Sequence, residues 1–103
     1  MRLLPKKECK KIEEILRTSD SNNADIKKAV KEIKDFFEVE IYADFLKLFY
    51  FERYKYINRY IDNRSMMKYL SERLYSAESQ LYVVRKEIIY KSAMIFYKND
   101  ILK

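Results

Sequence analysis

The side chains with the clearest chemical potential in this sequence lie between residues 78 and 86. A glutamine can form a pair of hydrogen bonds with adenine, and a carboxylate can accept one from the amino group of cytosine. Small or polar residues in the first turns of a helix can reach base edges in the major groove of DNA. The candidates for base contacts are Glu78, Ser79, Gln80 and Tyr82, with Lys86 at the margin.

Basic residues around this stretch have the charge needed to bind phosphate groups, which raises affinity without selecting a base sequence. The residues that we assign to this role are Arg64, Lys68, Arg85 and Lys91. Residues 1–48 carry 11 basic and 10 acidic side chains, whereas residues 49–103 carry 11 basic and 6 acidic ones. This asymmetry favours a polyanionic partner such as double-stranded DNA, although a solvated lysine-rich surface would have the same composition.

The composition excludes several kinds of catalytic and metal site. The chain of 103 residues has no His, one Cys and no Gly. The usual zinc and histidine-based sites need residues that it lacks, and a phosphate-binding loop needs glycine. No pair of carboxylates stands out for acid–base chemistry. We therefore expect a protein that is not an enzyme, with no catalytic residue, metal or cofactor.

The single cysteine and the lack of long apolar runs predict a location. Cys9 cannot form an internal disulfide, which fits a reducing cytoplasm. No stretch approaches the ~20 apolar residues of a membrane span, and residues 1–7 lack the apolar core of a signal peptide. We expect a cytoplasmic protein with no membrane partner.

Helices must position these side chains, because the sequence is poor in turn-forming residues. With no Gly and Pro5 as the one proline, tight β-turns would be rare, whereas helices tolerate this composition. We predict an all-α fold, a single domain over residues 1–103 that forms a small bundle of five or six helices. Its helical core would span residues 24–62, and a C-terminal helix-turn-helix with a long last helix would span residues 63–98.

Polar breaks predict where the first helices begin and end. The first helix follows Pro5 and ends in the polar segment after residue 17. The second begins near Ala24, with Asn22 or Asn23 as its N-cap. Its apolar stripe consists of Ile26, Val30, Ile33 and Phe37.

Residues 41–61 contain half of the chain's 10 Tyr and 6 Phe. Either one long helix or two short ones fits this stretch. Aliphatic residues are mixed with the aromatic ones over most of the helix circumference. We therefore predict that the stretch packs as the central pillar of the fold, rather than forming a platform on which bases stack.

The window over residues 65–89 has the layout of a helix-turn-helix. A short helix capped by Ser65 precedes a turn at residues 75–77, and a longer basic helix runs from Glu78 to about Tyr97. The predicted core positions of the two helices are Met67, Leu70 and Leu74 in the first, and Leu81, Val84 and Ile88 in the second.

This window resembles the sigma-factor region 4 type of helix-turn-helix. More narrowly, it resembles late-gene transcription activators of the RinA and ArpU type, from phages of Gram-positive bacteria. The shared features are an Arg-Tyr pair before the motif, here Arg59-Tyr60, and the composition of the reading helix, here residues 77–86. The resemblance covers roughly residues 45–95. It implies a sequence-specific regulator of phage or mobile-element genes in a bacterial host cell, with RNA polymerase or another phage protein as a possible further partner.

Four residues depart from the family pattern. Tyr75 replaces a Gly, Ser76 an apolar residue, and Ala77 the Ser that caps the reading helix. We expect a remodelled turn, because a left-handed backbone strains Tyr, and Ser76 could supply the cap by a shift of one residue. Val83 replaces an Arg on the face toward DNA. These departures leave open a degenerate helix-turn-helix that binds protein as an inhibitor or adaptor, a plain helical hairpin, or the DNA-recognition part of a packaging terminase.

The last helix is apolar on more than one face, which leaves the oligomeric state open. Two series of residues spaced by seven lie beside its core stripe: Tyr82, Ile89 and Phe96, and Val83, Tyr90 and Tyr97. Either the N-terminal helices cover the second face, or a second copy of the chain does. A homodimer would match two half-sites on DNA.

Overall fold

The structure, a computed structural model, describes residues 4–18, 23–56, 58–59 and 62–102. Over these ranges the chain forms five α-helices and no β-strand, which confirms the predicted all-α fold. The helices are α1 (Lys6–Arg17), α2 (Ala24–Phe36), α3 (Glu40–Phe45), α4 (Asn63–Arg73) and α5 (Glu78–Lys98).

Local signals explain where the first two helices begin. Pro5 occupies the N-cap position of α1, where its missing N–H costs nothing. The side-chain oxygen of Asn23 accepts hydrogen bonds from the N–H groups of Asp25 and Ile26, at 2.9 and 3.2 Å, so Asn23 is the N-cap of α2. Asn22, the other candidate, lies outside the described residues.

The aromatic stretch forms neither of the two predicted arrangements. After α3 the chain passes into a π-helical turn over Leu46–Phe51 and then into a 3-10 turn over Arg53–Tyr56. Phe45, Phe49 and Tyr50 are fully buried, as core packing requires and a base-stacking platform does not. The end of the stretch, at residues 57, 60 and 61, lies outside the described part of the chain.

The centre of the fold is α5, which packs against α1, α2, α3 and α4. The buried rings of the aromatic stretch, which the sequence predicted as the central pillar, fill the core beside α5. The core also extends beyond the predicted range of residues 24–62. Fully buried side chains come from all parts of the fold, among them Ile12, Leu16, Ile33, Phe45, Met67, Leu70, Leu81, Val84 and Ile88.

The residue that caps the start of α4 is not the predicted Ser65. Asp62 is the N-cap, and its carboxylate accepts a hydrogen bond from the N–H of Ser65 at 2.7 Å. Ser65 therefore receives the cap and does not supply it. The inner face of α4 holds the predicted Met67 and Leu70, which are fully buried, and Leu74 packs against the core from the end of the helix.

Candidate nucleic-acid interface

The connection between α4 and α5 positions the candidate site. α4 ends at Arg73 with Leu74 as its C-cap, and Tyr75 follows with a φ of 52°, in the left-handed region. The N–H of Ser76 donates to the carbonyl of Ser71 at 3.1 Å, the bond that defines a Schellman-type helix end. The expected remodelling of the turn is therefore wrong. Tyr75 takes the backbone conformation of the usual Gly, and its side chain avoids contact by remaining 97% exposed.

The start of α5 has no side-chain cap. Ala77 occupies the N-cap position in an extended conformation, with a φ of −61° and a ψ of 146°. Ser76 does not replace it, because the helix begins at Glu78 and Ala77 holds the N-cap position. The Ser76 carbonyl accepts a hydrogen bond from the Ser71 hydroxyl at 2.6 Å. The first N–H groups of a helix have no partner within the helix, so those of α5 point out of its uncapped end.

All five candidates for base contacts lie on the surface. Residues three, four and seven apart share one side of a helix, which defines an open face of α5 made up of Ser79, Tyr82, Val83 and Lys86. Glu78 and Gln80 flank this face in the first turn. The structure thus brings the five predicted side chains to the exposed N-terminal part of α5. Val83, which was not predicted to contact bases, lies between them on the open face.

The four predicted phosphate-binding residues do not form one group. Arg64 and Lys68 are exposed on α4, and no salt bridge involves either of them within the described ranges. The Lys91 ammonium lies 4.0 Å from the ring centroid of Phe36 on α2. Five residues of helix turn Lys91 about 140° away from Lys86, so Lys91 lies on a different side of α5 from the open face.

Arg85 binds within the protein. Its Nε and Nη2 atoms donate to the two carboxylate oxygens of Glu13 on α1, at 2.9 and 2.8 Å. The Tyr50 hydroxyl donates to the same carboxylate at 2.7 Å. Glu13 is only 5% exposed, so the pair is largely desolvated. Arg85 is therefore not available as a phosphate ligand, contrary to the prediction.

The protonation states of this cluster follow from its geometry. Burial by itself would raise the pKa of Glu13, but hydrogen bonds from Arg85 and Tyr50 bring it below the usual value of a glutamate. Burial, together with the Glu13 charge, raises the pKa of the Tyr50 hydroxyl well above its usual value. At neutral pH the cluster is therefore a carboxylate held by a guanidinium and a neutral phenol.

Two arginines that the sequence analysis did not select lie next to this cluster. Nη2 of Arg17, from α1, and Nη2 of Arg53, from the 3-10 turn, donate to the same oxygen, Oδ1 of Asn63, at 3.3 and 3.2 Å. Asn63 is the first residue of α4. The three residues are far apart in sequence, so no local pattern links them.

The second apolar side of α5 is partly covered within the chain. Phe96 is fully buried and Ile89 nearly so, and the Tyr97 hydroxyl donates to Glu8 of α1 at 2.9 Å. The N-terminal helices thus cover part of this side. Val83 remains 49% exposed and Tyr82 44% exposed, so an apolar surface persists on the open face.

Other kinds of site find no support in the described part of the chain. It contains no group of three or more Cys, Asp or Glu side chains that could hold a metal ion. None of its helices combines the length and apolar character needed to cross a membrane.

No known protein family, curated protein or solved structure matches this chain. The resemblance to phage late-gene activators rests on motif residues alone, namely the Arg59-Tyr60 pair and residues 77–86. Of the Arg59-Tyr60 pair, Arg59 is exposed, and Tyr60 lies outside the described residues.

Proposed function

We propose that this protein binds double-stranded DNA in a sequence-specific manner, with α4 and α5 acting as a helix-turn-helix. The observation that carries the proposal is the exposed leading end of α5, directly after the short turn from α4. A reading helix must present its N-terminal residues to the major groove while a shorter helix fixes its direction. Glu78, Ser79 and Gln80 are all exposed in this position.

The side chains at this end have suitable chemistry for reading bases. Gln80 can pair with adenine through two hydrogen bonds, and Glu78 can accept one from the amino group of cytosine. Ser79 and Tyr82 add hydroxyl groups, and Lys86 lies one to two turns further along the open face. The exposed methyl groups of Val83 suit an apolar contact with the methyl group of thymine.

Phosphate contacts fall to α4 in this proposal. Arg64 and Lys68 are exposed on the helix that would lie against the DNA backbone. Neither forms a salt bridge with another described residue, so both charges face solvent. Arg85 is not included, because the Glu13 carboxylate binds its guanidinium group through Nε and Nη2.

The resemblance supports a more specific setting. We propose that the protein regulates transcription of phage or mobile-element genes in the cytoplasm of a bacterial host. A homodimer would read two half-sites, and RNA polymerase or another phage protein would be the further partner. Sedimentation of the purified protein with and without its selected DNA site tests the dimer directly.

Replacement of Gln80 by Ala tests base reading. Selection from a random duplex library first identifies the preferred site of the wild type. Gln80→Ala should then lose preference at one base position, at a cost of ~1–3 kcal/mol for the preferred site, and retain binding to random DNA. Equal loss on preferred and random DNA would contradict a base contact by Gln80.

Replacement of Lys68 by Ala tests phosphate binding. The variant should weaken binding to all sequences alike, and its slope of log affinity against log salt should fall by about 0.9 for one lost phosphate contact. Lys28→Ala, which removes an exposed charge from α2, is the matched control and should change neither quantity. Failure of the wild type to bind any duplex at low salt would overturn the proposed function.

A protein-binding role is the second candidate, favoured by the exposure of Tyr75, Tyr82 and Val83 near the same helix end. Exposed aromatic residues are common at protein interfaces. Salt distinguishes the two roles, since DNA binding weakens steeply as salt rises and an apolar protein contact does not. Tight, salt-insensitive binding to a protein partner, lost in Val83→Glu, would favour the second role.

A further inference from the structure

We propose that Arg17 and Arg53 form a binding site for one phosphate group beside the start of α4. The ligand is an oxyanion of the phosphate class, either a phosphodiester of the DNA backbone or free phosphate. The DNA source rests on the proposed function above, whereas the site itself does not. Neither arginine belongs to the helix-turn-helix surface on α4 and α5.

Three guanidinium groups surround one aromatic ring at this place. Their central carbon atoms lie 6.0 Å, 4.7 Å and 5.3 Å from the ring centroid of Phe49, for Arg17, Arg53 and Arg85 respectively. The ring face attracts cations, and the arginines come from three different elements. Phe49 is fully buried, so the groups are held against the core rather than spread in solvent.

In the described part of the chain, the carboxylates near this place already have partners. Glu13 binds Arg85 through both oxygens. Asp62 accepts the N–H of Ser65 as the cap of α4, and although it lies near Arg53, no salt bridge joins them in the part of the chain described. Among the described residues, the acceptor that Arg17 and Arg53 share is a neutral amide oxygen, and Arg53 also donates to the Phe49 carbonyl at 3.5 Å.

The acceptor that the two arginines share carries no charge of its own. Two positive groups converge on Oδ1 of Asn63, at 3.3 and 3.2 Å, where one negative charge would stabilise both. Burial and the charges of Arg17 and Arg85 lower the pKa of Arg53, and the Glu13 charge offsets only part of this effect. Guanidinium forks bind phosphate with two parallel hydrogen bonds each, so a pair of them suits a tetrahedral oxyanion.

The position also fits a DNA backbone. The two arginines meet at the first residue of α4, and the exposed Arg64 is the next residue of that helix. In a helix-turn-helix this first helix lies across the backbone. A phosphodiester bound here would fix the register of α5 in the groove without contacting a base.

Inorganic phosphate is the first probe. Thermal unfolding is followed in phosphate and in chloride at equal pH and ionic strength. We expect phosphate to raise the Tm of the wild type in a concentration-dependent way, and to have no such effect on Arg17→Gln or Arg53→Gln. Lys31→Gln, which removes an exposed charge from α2, should respond like the wild type. If Arg53→Gln does not fold, Arg53→Lys takes its place. This variant keeps the charge but lacks the planar guanidinium group, so its Tm should respond less to phosphate than that of the wild type.

Asn63→Asp is the sharpest variant, because it places a carboxylate where the phosphate would bind. This variant should be more stable than the wild type in chloride and should lose the response to phosphate. A response to phosphate that persists unchanged in Asn63→Asp and Arg53→Gln would show binding elsewhere and would overturn the site.

Duplex DNA is the second probe and separates the two sources. A slope of log affinity against log salt reduced by about 0.9 in Arg53→Gln supports a backbone phosphodiester. An unchanged slope together with an Arg53-dependent response to inorganic phosphate supports free phosphate. If the wild type binds no DNA, the proposed function fails and the phosphate titration alone decides the site. Absence of both effects overturns the site.

Discussion

At the scale of single residues, Tyr75 combines a left-handed backbone with a ring that is almost entirely exposed. A left-handed conformation costs a residue with a Cβ atom roughly 1–2 kcal/mol. The chain has no Gly, so a residue with a Cβ must end α4. α5 ends in the same way, with Asp100 at a φ of 58° and the N–H of Ile101 bound to the Phe96 carbonyl at 2.9 Å.

Replacing Tyr75 by Gly should therefore stabilise the protein by about 1 kcal/mol, because Gly takes this conformation without steric cost. Urea unfolding measures the gain. Asp100→Gly is the matched control and should gain less, because Asp tolerates the left-handed region better than Tyr. A loss of stability in Tyr75→Gly would mean that the exposed ring contributes contacts that outweigh the backbone strain.

Glu13 gives a second prediction at this scale. Glu13→Gln leaves Arg85 buried without its counter-ion, which should lower the free energy of unfolding by about 3 kcal/mol. Glu14→Gln removes the same charge from the exposed neighbouring position of α1 and should have little effect. Chemical denaturation at pH 7 compares the two variants. Equal stability of both would contradict a buried, partnered role for Glu13.

The lowered pKa of Glu13 also predicts a pH dependence. A carboxyl group whose pKa is lower in the folded than in the unfolded protein stabilises the fold above the unfolded value of about 4.3. This contribution is lost as the pH falls through the folded pKa. The wild type should therefore lose more stability than Glu13→Gln as the pH falls below about 5. The difference corresponds to roughly one additional proton taken up by the wild type on unfolding. Parallel stability curves for the two proteins would refute the assignment.

At the scale of elements, the uncapped start of α5 offers a direct test of helix geometry. Ala77 has the extended backbone of an N-cap residue but no oxygen to accept a hydrogen bond. Ala77→Ser should stabilise the protein by about 1 kcal/mol. Ala24→Ser, at the first position of α2, already follows the Asn23 cap and should not stabilise. A gain in Ala24→Ser as large as in Ala77→Ser would exclude capping as the cause.

Helix positions were predictable because their signals are local. Asn23 and the polar segment before it marked the start of α2. The polar break over residues 62–65 marked the region where α4 begins, although its cap is Asp62 and not the predicted Ser65. The π-helical turn at Leu46–Phe51 was not predictable, because a stretch that is apolar on most sides has no single face to set its period. Packing against the rest of the fold decides its geometry.

At the scale of the whole molecule, the described residues share one core built around α5. Ile12 of α1 is fully buried within it, so Ile12→Ala should lower the free energy of unfolding by about 2–5 kcal/mol. Far-UV circular dichroism and tyrosine fluorescence should still report one coincident transition. Ile26→Ala, at a partly exposed position of α2, should cost less. Separate melting of α1 at low denaturant would contradict a single core.

The candidate site was predictable only in part, because some of its contacts join residues that are far apart in the sequence. The exposure of Glu78, Ser79 and Gln80 follows from helix periodicity and a local break. The pairing of Arg85 with Glu13 joins residues 72 positions apart. Neither partner's sequence context indicates this pairing, so a basic residue on a predicted reading helix was assigned to DNA when the fold uses it internally.

The central place of α5 has a consequence for how a ligand would be bound. The helix that presents the candidate contacts also lines the core and packs against four other helices, so we expect its backbone to have the same conformation before and after binding. Association then requires little ordering of the main chain, and most of the interaction free energy remains available as affinity. Free and bound protein should accordingly have nearly the same shape, with adaptation confined to surface rotamers and to the nucleic acid or protein that docks.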